Sequence, residues 1–186
     1  KRKHGLRFGV TTHLARSDSW FQTNKGADKA GPYKGVPYDG TDPDYASLYH
    51  APFPENLRYP HEPPAAWIEN WYARVKDLID QYQPDLMYLD GGYPFDEDVE
   101  AENIDEGAVG RRLVAHYYNA NAQWHNGRNE AAMCIKKWPD GSHGGWRDRT
   151  CVQDIERGRA KDLREQPWQT DTCIGGWYYR TGARYK

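Results

Sequence analysis

Long apolar runs are missing from this chain. No stretch of its 186 residues approaches the roughly 18 consecutive apolar positions that a membrane-spanning helix needs, so nothing in it reads as a transmembrane segment. Net charge is nearly absent as well. Against 27 Asp and Glu stand 25 Lys and Arg, which leaves no electrostatic case for nucleic acid or an anionic membrane surface as a partner. The basic start Lys1-Arg2-Lys3-His4 is followed by no apolar core of the signal-peptide kind. Cysteine is scarce: Cys134, Cys151 and Cys173 show neither CxxC spacing nor a paired histidine motif, which argues against zinc. All three fall inside or beside β-rich stretches, where a free thiol acts as a small apolar residue. The acidic run Asp96-Glu97-Asp98-Val99-Glu100 lacks the glycine and ligand order of a calcium loop and reads as a solvated loop. Aromatic surface, by contrast, is plentiful, with 8 Trp and 14 Tyr. Such rings offer a flat apolar face and a polar edge, suited to sugar rings as well as to packing, and packing accounts for most of them.

Periodicity divides the chain into alternating elements. Residues 6–12 alternate and are β-rich, which predicts a strand. Residues 17–64 are rich in Pro, Gly, Tyr and Asp without a sustained period and read as one long loop; loops of that length in a compact domain usually serve function. A helix is predicted over 64–82, opened by Pro64 and carrying Trp67, Trp71, Val75, Leu78 and Ile79 on one stripe. A strand follows at 85–90, then an acidic loop over 93–106. A second helix is predicted over 107–124, with Val109, Leu113, Tyr117 and Trp124 inward. Further strands are predicted at 131–135, at 150–155 ending on Glu156, and at 169–174, with a Gly-rich loop over 139–149. No internal repeat or linker appears, so 1–186 reads as one domain or part of one. Strands alternating with helices argue for a parallel α/β sheet, and long polar loops after the strands match the catalytic face of a β/α barrel. Five strands are too few to close an eight-stranded ring.

The segment Pro84-Asp85-Leu86-Met87-Tyr88-Leu89-Asp90-Gly91-Gly92 is the most pointed in the chain. Asp85 reads as the entry turn, and Leu86, Met87 and Leu89 as packing. Asp90 then stands at the C-terminal end of a buried strand, beside glycines that let a substrate approach the backbone. Side chains at that end of a parallel sheet face the active site, which makes Asp90 a candidate nucleophile or base. The plainer role is a turn or helix-capping aspartate.

Several segments, in order, resemble glycoside hydrolase family 29, the retaining α-L-fucosidases. Arg2-Lys3-His4-Gly5-Leu6-Arg7-Phe8-Gly9-Val10 is similar to the family's fourth barrel strand and the helix end before it. His13-Leu14-Ala15-Arg16-Ser17 resembles the loop after that strand, and Tyr33-Lys34-Gly35-Val36-Pro37-Tyr38-Asp39-Gly40 the insert that follows. Pro84 to Gly92 resembles the fifth strand, which carries the nucleophile. Asp154-Ile155-Glu156-Arg157-Gly158 resembles an acidic strand end, and Pro167-Trp168-Gln169-Thr170-Asp171-Thr172 with Trp177-Tyr178-Tyr179 the Trp-Glu segment and its aromatic follow-up. Nothing matches the family's Lys-His-His-Asp-Gly-Phe segment or its Asn-Gly-Asn-rich end, and Gln169 stands where many members carry Glu. The resemblance therefore implies part of a (β/α)8 TIM-like barrel, roughly strands 4 to 8, with the N-terminal half missing from this segment.

By the same resemblance the parent acts outside the cytoplasm or in a periplasm, on fucosylated glycans, with no metal or organic cofactor. A retaining glycosidase needs two carboxylates about 5–5.5 Å apart, one ionised to attack and one protonated to release the leaving oxygen. Asp90 is the expected nucleophile. Glu156 is the expected acid/base, since it too ends a strand and Gly158 leaves room beside it. A salt-bridged surface role is its plainer alternative, and Asp154 and Asp171 are rivals for the same duty. On a continuing strand Arg157 would point away from Glu156. His13 is expected to hydrogen-bond a sugar hydroxyl, Trp177 and Tyr178 to wall the fucose methyl, and Lys137 to bind a hydroxyl or steady a carboxylate, although each also has an ordinary solvated or packed reading. A catalytically silent fucose-binding relative is the alternative function, suggested by Gln169. The 186 residues alone are expected to be inactive, because an open half-barrel exposes two sheet edges.

Overall fold

The computed structural model describes residues 4–15, 17, 29–49, 63–90, 108–136, 150–178 and 180–184. Strands β1 (Gly9–Thr12), β2 (Leu86–Leu89), β3 (Ala132–Lys136), β4 (Val152–Glu156) and β5 (Trp168–Asp171) form one sheet in chain order, with every neighbouring pair parallel. A doubly wound sheet reverses its order at a switch point, whereas a barrel wall keeps advancing the same way. This sheet never reverses, so it is a five-stranded parallel α/β sheet compatible with part of an α/β barrel.

Two long helices cover one face. With the short α1 (Ala46–Tyr49) counted first, α2 (Ala65–Tyr82) joins β1 to β2, and α3 (Ala108–Trp124) joins β2 to β3. Pro64 opens α2, where a missing N–H costs nothing. Gln83 closes it in the left-handed region at φ 47°, its N–H returned to the Ile79 carbonyl at 2.8 Å, and Pro84 prevents continuation. The predicted stripe is buried: Trp67, Trp71, Val75 and Ile79 pack on Met87 and Leu89 of β2, Met133 and Ile135 of β3, and Val109, Leu113 and Tyr117 of α3, with Leu78 and Trp124 at the margin. Each such side chain contributes about 1.5–3 kcal/mol by leaving water. Because Met87 and Leu89 face the helices, Tyr88 between them faces the opposite side of the sheet.

The N-terminal ends of the strands are tied by Asp85. Its carboxylate accepts from the Phe8 N–H at 2.7 Å and from Arg7 at 3.1 Å, and Arg7 reaches Glu130 at 3.2 Å. Tyr117 donates to the Pro84 carbonyl at 3.0 Å, and Asn121 Oδ1 accepts from the Glu130 N–H at 2.8 Å. The entry turn is thus a structural anchor, and it leaves the C-terminal ends of the strands as the open edge.

Some boundaries differ from the sequence expectation. The first ladder begins at Gly9 rather than residue 6, although the Phe8 carbonyl already accepts from Asp85 at 2.7 Å. The last strand stops at Asp171; Cys173 lies beyond it in a turn, its thiol donating to the Gly175 carbonyl at 3.1 Å. Cys134 is buried in β3, and Cys151 is half-buried beside β4. Within the expected loop 17–64, Pro32 lies second in one 3-10 turn and Pro43 starts another, which leads into α1 and is capped by Asp42 accepting from the Asp44 N–H at 2.9 Å. The loops 93–106 and 139–149 lie outside the described residues.

Candidate active site

Parallel pairing brings all five C-terminal strand ends to one edge. Asp90 follows β2 directly, and its N–H donates to the Thr12 carbonyl at 2.9 Å, which carries the pairing one residue past the strand. Its carboxylate is half-exposed, with His13 Nε2 3.7 Å from Oδ2. His13, just past β1, is mostly exposed. Glu156 is the last residue of β4, half-buried, with Asp171 its register partner on β5.

Arg157 departs from expectation. The strand ends at Glu156, and Arg157 takes a left-handed φ of 55°, so the alternation that would aim it away does not continue. Its N–H donates to the Asp171 carbonyl at 2.8 Å, and its Nε lies 3.7 Å from Glu156 Oε1. The guanidinium stacks over the Trp177 ring at 4.1 Å from the centroid. One face of that half-buried indole is therefore occupied by Arg157. Tyr178 is 73 % exposed, so it can wall a ligand only from the rim. Lys137 lies outside the described residues.

Below the rim sits a contact that the sequence reading did not anticipate. Asp154 is 1 % exposed. Its Oδ2 accepts from the Tyr88 hydroxyl at 2.7 Å and its Oδ1 from Gln169 Nε2 at 3.2 Å. Burial first, then the Asp154 hydrogen bond and charge and the charge of Asp90, push the Tyr88 phenol far above its ordinary range, so it stays a proton donor. Asp154, weighed as a rival catalytic acid, is enclosed and doubly bonded instead. Its signal was present in the alternation: Tyr88 and Asp90, like Asp154 and Glu156, stand two residues apart and share a strand face.

The backbones of β2 and β4 have one strand between them and so run about 9–10 Å apart. Carboxylates leaning inward from two such ends can work on opposite sides of one bond. No group of three or more His, Cys, Asp or Glu suited to a metal occurs among the described residues. On the helical side, a cavity of about 340 Å³ is lined by residues including Leu14, Leu48, Trp67, Trp71 and Arg74, and it shares no residue with this edge.

The family model for alpha-L-fucosidase matches residues 1–186, the whole chain. The chain belongs to the alpha-L-fucosidase family. No curated protein sequence matches it. Membership in the alpha-L-fucosidases supports glycoside hydrolase function and implies a fucosylated glycan as substrate. No helix among the described residues is long and apolar enough to cross a membrane. In this fucosidase-family chain, Gln169 has a structural use: its amide holds Asp154, a task for which an ionised glutamate has no donor.

Proposed function

We infer that this chain supplies roughly strands 4 to 8 of a (β/α)8 barrel in a retaining α-L-fucosidase, with Asp90 as nucleophile and Glu156 as acid/base. The observation that carries this reading is the pair of incompletely buried carboxylates at the C-terminal ends of β2 and β4, on one edge of one parallel sheet, in a chain of this family. An Asp90 carboxylate oxygen attacks the anomeric carbon as the bond to the leaving oxygen breaks, and Glu156 gives that oxygen its proton. In the second step water loses a proton to Glu156, attacks the same carbon and frees Asp90, so configuration is retained. On this reading His13 hydrogen-bonds a hydroxyl of the sugar, Trp177 and Tyr178 wall its methyl, and Lys137, which lies outside the described residues, binds a hydroxyl or steadies a carboxylate. Action outside the cytoplasm belongs to the same proposal.

The silent-binder alternative rests on Gln169. The amide of that side chain is engaged with Asp154, which favours a structural reason for the substitution over the loss of a catalytic acid.

Two variants of the parent enzyme, of which this chain is read as one part, test the roles. Asp90→Ala is expected to abolish release of both an activated aryl fucoside and a poor-leaving-group fucoside. Glu156→Ala is expected to lose about 10²–10⁴-fold on the poor leaving group, which needs the proton, and far less on the activated one. Normal turnover by Asp90→Ala contradicts the assignment.

A further inference from the structure

Among the described residues, neither proposed catalytic carboxylate is paired with β3. The β2–β3 ladder ends at the pair Leu89–Ile135, one residue short of Asp90. The β3–β4 ladder ends at Lys136–Asp154, two residues short of Glu156. Retention requires about 5–5.5 Å between the carboxylates, and separations above about 6.5 Å suit a different stereochemical course, so the gap between these two strand ends has to be held.

A side-chain bond crosses that gap. Tyr88, two residues before Asp90, reaches over β3 and donates to Asp154, two residues before Glu156, at 2.7 Å. On β3 between them, the buried Cys134 is in register with Tyr88 and Lys136 is in register with Asp154. Asp154 is anchored from the far side by Gln169 at 3.2 Å, so the acceptor is held while the donor pulls. The bond is buried, where water does not compete for it. It also joins the two side chains that lie directly beneath the reacting pair on the same sheet face.

We propose that the Tyr88–Asp154 hydrogen bond is the spacer that sets the distance between Asp90 and Glu156, which makes Tyr88 and Asp154 positioning residues; this rests on the roles given to those two carboxylates above. Neither touches the reacting atoms in this role. Each acts through the carboxylate two residues further along its strand.

The test is the carboxylate separation in crystal structures of the protein and its Tyr88→Phe variant, which keeps the ring and loses only the hydroxyl. The unaltered protein is expected to show about 5–5.5 Å. The variant is expected to widen by about 1 Å, a displacement that lowers kcat about 100-fold. KM should move less than about threefold, because the loss is of alignment in the transition state. Asp154→Asn should behave alike, and the double variant should be no slower than the slower single one, since both break the same bond. The loss should be greater for methyl α-L-fucoside, which needs both carboxylates aligned, than for 4-nitrophenyl α-L-fucoside. An unchanged separation in Tyr88→Phe, a change in KM alone, or multiplying losses in the double variant would overturn the spacer. A protein whose separation widens in Tyr88→Phe but which cleaves no fucoside keeps the spacer and loses the fucosidase reading.

Discussion

Trp71 and Gln169 show at the residue scale how one polar atom decides the effect of a substitution. The Trp71 indole is 3 % exposed, and its Nε1–H is buried with no acceptor among the described residues. A stranded donor of that kind costs about 1–3 kcal/mol, which offsets much of the packing lost on substitution by a smaller ring. Trp71→Phe is therefore expected to change unfolding free energy by less than about 1 kcal/mol, whereas Ile79→Ala in the same stripe costs about 2–5 kcal/mol; urea denaturation of both variants checks the contrast. Gln169→Glu has the opposite character. It removes the donor to Asp154 and sets a second carboxylate at that contact, so a loss of about 1–3 kcal/mol is expected at neutral pH. A Gln169→Glu protein as stable as the original at pH 7 would contradict this. The position of Asp90 just past a buried strand was legible in the sequence, because Leu86, Met87 and Leu89 read as packing residues of that strand. Tyr88 was not, since its neighbours Leu86, Met87 and Leu89 are packing residues and its partner is 66 positions away. Arg157 was misread because its left-handed backbone depends on where β4 ends, which residue type alone does not mark.

Among the elements, α2 and α3 were read from their period because the stripes obey 3.6-residue spacing and Pro64 opens the first helix. Short strands are harder. Four or five residues give little alternation, and β5 was drawn out to residue 174 because the residues after Asp171 keep a β-like composition while the ladder has run out. The helix pair is joined on its exposed side by Arg112, which pairs with Glu69 at 2.6 Å and covers the Tyr72 ring at 4.2 Å, and by Asp80, which accepts from Lys76 of its own helix and from His116 of α3 at 2.6 Å. Burial alone would raise the Asp80 carboxyl, but the hydrogen bonds and charges of Lys76 and His116 together hold it below its ordinary 3.8. The unfolded chain therefore takes up that proton first on acidification. The Asp80 contribution is whole above about pH 4 and disappears as pH falls through the lower folded value. Since the group is half-exposed, a few tenths of a kcal/mol is the expected size. Asp80→Asn should flatten the pH dependence of stability below about pH 4, and an unchanged acid slope would argue against the clamp.

For the whole molecule, sheet order and buried phenols set what can be measured. Strand order equal to chain order, with both long helices on one face, leaves the other face for Tyr88, Asp154 and the rim, as a barrel interior requires. Burial pushes the Tyr118 phenol up to about 12 and those of Tyr117 and Tyr88 higher still. Phenols raised in the folded state contribute fully below the unfolded value near pH 10, and their contribution is lost as pH rises through the folded values. Alkaline titration should thus show exposed tyrosines ionising near pH 10 and a later set ionising only with loss of circular dichroism; a single wave near pH 10 with the fold intact would contradict the burial of these rings. The class and order of the fold were legible because each helix–strand alternation is local, whereas the buried Tyr88–Asp154–Gln169 contact exists only once three strands are side by side. The central claim, that Asp90 forms the covalent bond to fucose, is tested most directly by trapping the protein with a 2-fluoro-fucosyl inactivator and mapping the labelled peptide. The account predicts a single adduct on Asp90, in the peptide containing Met87-Tyr88-Leu89-Asp90. An adduct on Glu156, Asp154 or any other residue would contradict it.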